Sequence, residues 1–282
     1  MLFSQLITKL IQDTTEKSLP LFGVELCLCV TIVLMLLVRL FSADRVLPAC
    51  ITAVVGAAAA LTCSWLQYRE LFAQSAPVST ELFTGLLIHD NFTVYFRAFL
   101  SLFLLLTVAL TSLTGIPDEE DGPDFYSLLF GATLGMMLMA SSNSLLMLFI
   151  AVEMASVPSY AKVGFLKGQK SASEGALKYV VYGAGAAGVM LYGISLVAGT
   201  LGTADMSLLS ERLAAVAADG SGGLGDPELR TFALGLLMIL AGLAFKLSLV
   251  PFHFWCPDAF EGASAEVAGF LSIASKAGAF AL

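Results

Sequence analysis

Two stretches of this chain put ionisable side chains among apolar neighbours. In the first, Phe232 to Phe245 carries no charge and Lys246 follows at once. Pro251 comes next, and His253 stands in Pro-Phe-His-Phe-Trp. In the second, NSLLMLFIAVEMASVPSY, Glu153 ends a run of apolar and small residues and Pro158 follows it. Lys276 is the one charge in the apolar tail after Val267, and Lys178 lies in SEGALKY. Each alone has a plain reading: a carboxyl near a helix end, or a lysine whose stem carries its ammonium to the interface. Three such charges are harder to dismiss, because each costs roughly 2.5–3.5 kcal/mol at the centre of a membrane helix. They are expected to pair or to share water, and Glu153 with Lys246 is the obvious pair of opposite sign. Such a pair can handle protons. A nearby carboxylate favours the charged lysine, while burial or a second cation drives the proton off. Arginine could not hand a proton on, because it stays charged. Pro251 cannot donate to the Leu247 carbonyl and its ring clashes there, so the helix is expected to break beside Lys246. The candidate relay is Lys246, His253 and Lys276, with Glu153 as its modulator. Lys178 is either a relay member or an interfacial lysine.

The elements that must position these groups are membrane helices. The chain has 282 residues, 58% hydrophobic and 13% charged, with a mean hydropathy of +0.88. A soluble domain carries about 25% charged residues. Hydropathy predicts about eight spans, near 20–40, 46–66, 92–114, 124–141, 143–163, 174–199, 231–250 and 264–282. Each is close to the roughly 20 residues a bilayer requires. The expected fold is therefore an all-α polytopic transmembrane bundle with a broken seventh helix. Lys and Arg near the span ends favour an outward N-terminus. The net charge of −8 speaks against nucleic acid as a partner. Asp118, Glu119, Glu120, Asp121 and Asp124 read as one solvated connection, and residues 219–227 as a turn-rich loop. Five cysteines without a CxxC pair and only two histidines argue against a zinc, haem or iron–sulfur site. Residues 1–19 are expected to form a short interfacial helix, with no cleaved signal peptide. Gly183-Ala-Gly185-Ala-Ala-Gly188 matches a dinucleotide-binding pattern, but lies inside a predicted span. There small residues serve close helix packing.

From Ser141 to Leu282 the chain resembles the antiporter-like, proton-pumping membrane subunits of respiratory complex I, NADH–quinone oxidoreductase, and subunit N in particular. The motifs are Glu153 before Pro158, SEGALKY, YGISLVAGTLGT, GLAFKLSLVPFHFWCPDAFEGA and FLSIASKAGAF. The first three spans match loosely, through Glu25 after Pro20 and Asp90 before Arg97. The resemblance implies that Glu153 is the fifth-helix glutamate, Lys246 the lysine of the broken seventh helix, His253 the histidine after the break and Lys276 the eighth-helix lysine. One departure stands out. The family pattern Gly-Ala-Pro-X-Pro-Val is replaced by Gly262-Ala-Ser264-Ala-Glu266-Val267, which implies a less rigid entry to the eighth helix.

The resemblance further implies two segments: residues 1–123, N-terminal helices and acidic loop, and residues 124–282, a first antiporter-like repeat. The family carries a second, inverted repeat, so the chain is expected to be the front part of a longer protein. The implied function is proton translocation coupled to electron transfer from NADH to quinone. NADH, FMN, iron–sulfur clusters and quinone belong to other subunits, and this chain is expected to hold no cofactor. Implied partners are other complex I membrane subunits, among them neighbouring antiporter-like subunits, in a bacterial inner membrane or that of an organelle. Two rivals stand beside this reading: a subunit of a multi-subunit Na+/H+ antiporter or membrane-bound hydrogenase, and a structural assembly subunit without transport.

Overall fold

The computed structural model describes residues 3–41, 48–73, 79–116, 121–166, 168–219 and 225–282. Asp118, Glu119 and Glu120 of the acidic connection and residues 220–224 of the glycine-rich loop lie outside them. Seven described helices are long and apolar enough to cross a membrane: α1 Gly23–Leu40, α2 Ala49–Phe72, α3 Asn91–Thr114, α4 Gly122–Ser141, α5 Leu145–Val163, α6 Lys170–Leu201 and α7 Pro227–Leu247. A backbone in lipid must satisfy its own polar groups, which is why these apolar runs are helical throughout. The chain is an integral, multi-pass membrane protein, and the all-α bundle expected from the composition is what forms. The one sheet among the described residues is a short hairpin, β1 Thr80–Leu82 with β2 Leu87–His89. A helix at Phe3–Gln12 precedes the first span.

Helix α4 is the axis of the bundle. Its spanning window is 78% buried, against 50% or less for every other span. α1, α3 and α5 pack around it. It can be enclosed because its contact face is small: a Cβ on Gly135 would lie 2.5 Å from the backbone nitrogen of Ala155 on α5. The second close pair is α6 with α7, where a Cβ on Gly193 would lie 2.6 Å from the carbonyl of Gly235. The packing expected of Gly183, Gly185 and Gly188 holds only at Gly183, which abuts Tyr160. A Cβ on Gly185 or Gly188 would meet nothing within 4 Å.

Two predicted features differ in detail. The eighth span, predicted over 264–282, is helical from Ala265 to Phe280 as α9 Ala265–Phe270, a π-helical turn at Leu271–Ser275 and α10 Lys276–Phe280, and a separate short helix, α8 Trp255–Gly262, precedes it. Ser264 caps α9 by accepting from the Val267 N–H at 3.4 Å, so the departure from the family's prolines still gives a defined helix start. The break in the seventh helix lies upstream of the proline. α7 ends at Leu247, and Ser248 turns the chain out with φ +57°. The N–H groups of Ser248 and Leu249 return to the carbonyls of Phe245 and Ala244 at 3.1 and 2.9 Å. This is a left-handed helix end, normally the place of a glycine. The Leu247 carbonyl is therefore released by Ser248, and Pro251 sits in the turn that follows.

Candidate functional site

Lys246 is the next-to-last residue of α7 and is 3% exposed. α7 is pressed against α6 through Gly193, Gly235 and Gly242, which fixes the depth of the lysine along α6. Facing it across the bundle is Glu153 of α5, half-buried. The two line one small cavity with Ser156, Tyr160, Gly183 and Gly242. Its volume is about 10 Å³, close to the ~10–15 Å³ that a single water requires. The room exists because glycine and alanine occupy the walls on α6 and α7. Each charge acts on the other, yet no ion pair within 4.0 Å joins them among the described residues. The expected Glu153–Lys246 pair is thus brought to one small cavity, not into direct contact. The Lys246 Nζ has no hydrogen-bond partner among the described residues.

An aromatic stack supports this arrangement. Tyr160 of α5 meets Tyr179 of α6 edge-on at 4.5 Å between centroids, and Tyr179 lies flat on Trp255 of α8 at 4.0 Å. The Trp255 Nε1–H donates to the Phe245 carbonyl at 3.1 Å. That bond gives the Phe245 carbonyl a second donor beside the Ser248 N–H and ties α8 back to the residue before Lys246.

The other predicted residues fall around this centre at different distances. Lys276, half-buried at the start of α10, opens into a cavity of about 390 Å³ shared with Tyr95, Phe96 and Phe99 of α3 and with Leu247. Leu247 adjoins Lys246, so the cavity reaches the helix break. The Lys276 Nζ is 5.9 Å from the centroid of Phe260. His253 is half-buried in the turn between α7 and α8 with its ring stacked on Phe254 at 4.8 Å. Its Nδ1 is enclosed without a partner among the described residues. Lys178 is not part of the Glu153 cavity. It lies 38% exposed near the start of α6 and bridges Glu174 at 2.7 Å and Asp258 of α8 at 3.1 Å. The bridge to Asp258 fastens α8 to α6, and Asp258 is a partner that no pattern in the sequence announced.

Three further buried charges, Lys162, Arg97 and Glu25, went unpredicted as site residues. Lys162, the next-to-last residue of α5, is 1% exposed with its Nζ 3.7 Å from the ring centroid of Phe270. Arg97 of α3 and Glu25 of α1 are both fully buried and meet at 2.6 Å. A charge inside an otherwise apolar span is the signal that finds Arg97 and Glu25. Nothing but tertiary packing finds Lys162.

Comparison with known proteins adds the context of this geometry. Residues 142–282 match the family described as NADH:quinone oxidoreductase/Mrp antiporter, TM. NADH-quinone oxidoreductase subunit N of Anaeromyxobacter sp. (strain Fw109-5) is 36% identical over 272 residues, which is 96% of this chain and 51% of that one. NADH-quinone oxidoreductase subunit N 2 of Rhizobium meliloti is 34% identical over 94% of this chain and 51% of its own length. Among solved structures, respiratory complex I from Thermus thermophilus with bound aureothin contains a chain 31% identical to this one, with a TM-score of 0.70 over 92% of this chain and 52% of that one. A chain of an archaeal membrane-bound sulfane sulfur reductase shares the fold, with a TM-score of 0.73 at 20% identity over 90% of this chain and 50% of that one. The chain spans about half the length of the curated relatives it matches.

Proposed function

The chain belongs to the NADH:quinone oxidoreductase/Mrp antiporter transmembrane family, and from that premise we propose that it works within a proton-translocating, subunit N-type membrane subunit of an NADH–quinone oxidoreductase. The observation that carries this reading is the small cavity shared by Glu153 and Lys246 at a helix break, with the Lys276 cavity reaching the same break at Leu247. Identity to subunit N chains of 34–36%, against 20% to the sulfane sulfur reductase chain, favours the quinone-reducing complex over its relatives. Nucleotide, flavin, iron–sulfur and quinone chemistry falls to other subunits, and this chain contributes no redox step. Its partners are the neighbouring membrane subunits of that complex.

The charges do the following work in this reading. With the Glu153 carboxylate close, Lys246 holds its proton. When the carboxylate moves away, or a second cation approaches, the ammonium gives the proton to water in the cavity. The turn after Ser248 lets that water pass toward Lys276. His253 stands in the same turn, where its ring nitrogens can bridge. Lys178, braced by Glu174 and Asp258, holds α8 and with it the floor of the turn.

Glu153→Gln tests the modulating role. It keeps the shape of the side chain and removes its charge, so pumping per electron should fall several-fold while electron transfer to quinone continues. The loss should be smaller than that from replacing Lys246, which carries the proton itself. Combined with Lys246→Met it should add almost nothing, because residues that act on one proton are not additive. Proton uptake into vesicles, measured beside quinone reduction, separates the cases. A double variant whose losses multiply in full would mean that the two side chains act independently.

A further inference from the structure

We propose that Lys162 is a further proton-carrying residue of this subunit, set between Lys246 and the end of the bundle where α5 turns into α6. The proposal rests on the translocation reading above. In the sequence Lys162 precedes Gly164 and shares its neighbourhood with Lys167 and Lys170, the pattern of a solvated basic turn. In the structure it is 1% exposed and its Nζ has no hydrogen-bond partner among the described residues. Its ammonium rests instead on the face of Phe270 of α9, 3.7 Å from the centroid. Phe270 is held in turn by Phe103 of α3 at 6.2 Å. A ring face attracts a cation but accepts no conventional hydrogen bond from it. A methionine of similar length would fill this space without a charge to bury, so packing alone gives no reason for a lysine here.

Position adds direction. Just past Lys162, Gly164 abuts Ala176 in the first turns of α6. The cavity of Lys246 lies against Gly183 to Met190, farther along the same helix. From Ala176 to Ala186 is about 15 Å at a rise of roughly 1.5 Å per residue. Lys162 therefore belongs to the layer between the α5–α6 turn and the buried lysine. Lys246 is the ionisable neighbour whose charge acts on it. Two amines so placed hold one proton more easily than two. The step is one proton transfer with no electrons moved: an N–H bond breaks at Lys162, water carries the proton, and an N–H bond forms at Lys246.

The test uses the full-length subunit in its assembled complex, in vesicles, with Lys162→Met, Lys162→Arg and Lys246→Met compared. Both Lys162 variants should assemble and pass electrons, and protons taken up per electron should fall several-fold with a changed pH profile. Lys162→Arg keeps the charge and the stacking on Phe270, so a purely structural lysine predicts full pumping there, and that result would overturn the proposal. Full pumping by Lys162→Met would overturn it as well. Should the methionine variant fail to assemble, the arginine variant decides alone; loss of assembly in both would make Lys162 a packing residue. Full pumping by Lys246→Met would bring down the translocation reading itself, whereas an inactive Lys246→Met beside normal Lys162 variants removes only the role given to Lys162.

Discussion

Lys246→Met is expected to abolish proton uptake by the assembled complex, and Lys246→Arg is expected to fail almost as completely. Methionine has no proton to give. A positioned acid or base contributes about 10²–10⁴-fold to a proton transfer, so its loss should bring pumping to background. Arginine keeps the charge at the helix break but does not release it. The arginine variant therefore separates charge from proton transfer, which methionine alone cannot do. Neither change should unfold the chain. The Lys246 Nζ is 3% exposed and unpartnered among the described residues, and a buried lysine costs roughly 2.5–3.5 kcal/mol at the centre of a membrane helix. Methionine removes that cost at similar length, so thermal stability of the inserted protein should hold or rise. Proton uptake and quinone reduction measured on the same vesicles give the answer. Pumping at the wild-type ratio in Lys246→Arg would end the relay role.

The residues of this centre were legible in the sequence because an ionisable group in an apolar run has few cheap explanations. Glu153, Lys246 and Lys276 were found that way, and the seven long spans by hydropathy alone. What the sequence could not carry was geometry. Pro251 is a visible breaker, yet the chain leaves the helix at Ser248, because a serine in the left-handed region has no signature in composition. The last span reads as one apolar stretch and is one helical run from Ala265, but nothing in its composition shows the π-helical turn before Lys276. Lys178 reads as a candidate for the relay until Asp258, far along the chain, is seen to take its ammonium. Lys162 looks like a loop charge until α9 lays Phe270 over it. For Lys178 and Lys162 the missing information is a contact between distant segments, which neither periodicity nor local propensity encodes.

The second large effect is on stability and concerns the buried ion pair between α1 and α3. Arg97 of α3 and Glu25 of α1 are both 0% exposed, with Nε donating to Oε1 at 2.6 Å. The Arg97 Nη1 also lies 3.2 Å from the Leu21 carbonyl and 2.8 Å from the His89 Nδ1. Glu25→Ala would leave the guanidinium buried without its counter-charge, and arginine cannot escape by losing a proton. Removing one partner of a buried pair costs about 3–5 kcal/mol, a large share of the roughly 5–15 kcal/mol that holds a domain together. The double variant Glu25→Leu with Arg97→Leu should recover much of the loss, because an apolar pair satisfies the same space. His89 adds a pH dependence. Arg97 donates to its Nδ1, which must then be unprotonated, and burial together with the guanidinium pushes the imidazole down to about 4. The unfolded chain binds that proton near pH 6.5 and the folded chain does not. Stability from this group is therefore complete above about pH 6.5 and declines as pH falls toward 4. Melting of the inserted protein between pH 7 and pH 5 should fall in the wild type. In His89→Gln, which keeps an acceptor and cannot titrate, the curve should flatten. Equal slopes in the two proteins would place the titrating group elsewhere, and an undiminished melting temperature in Glu25→Ala would mean that the buried pair is not what holds α1 to α3.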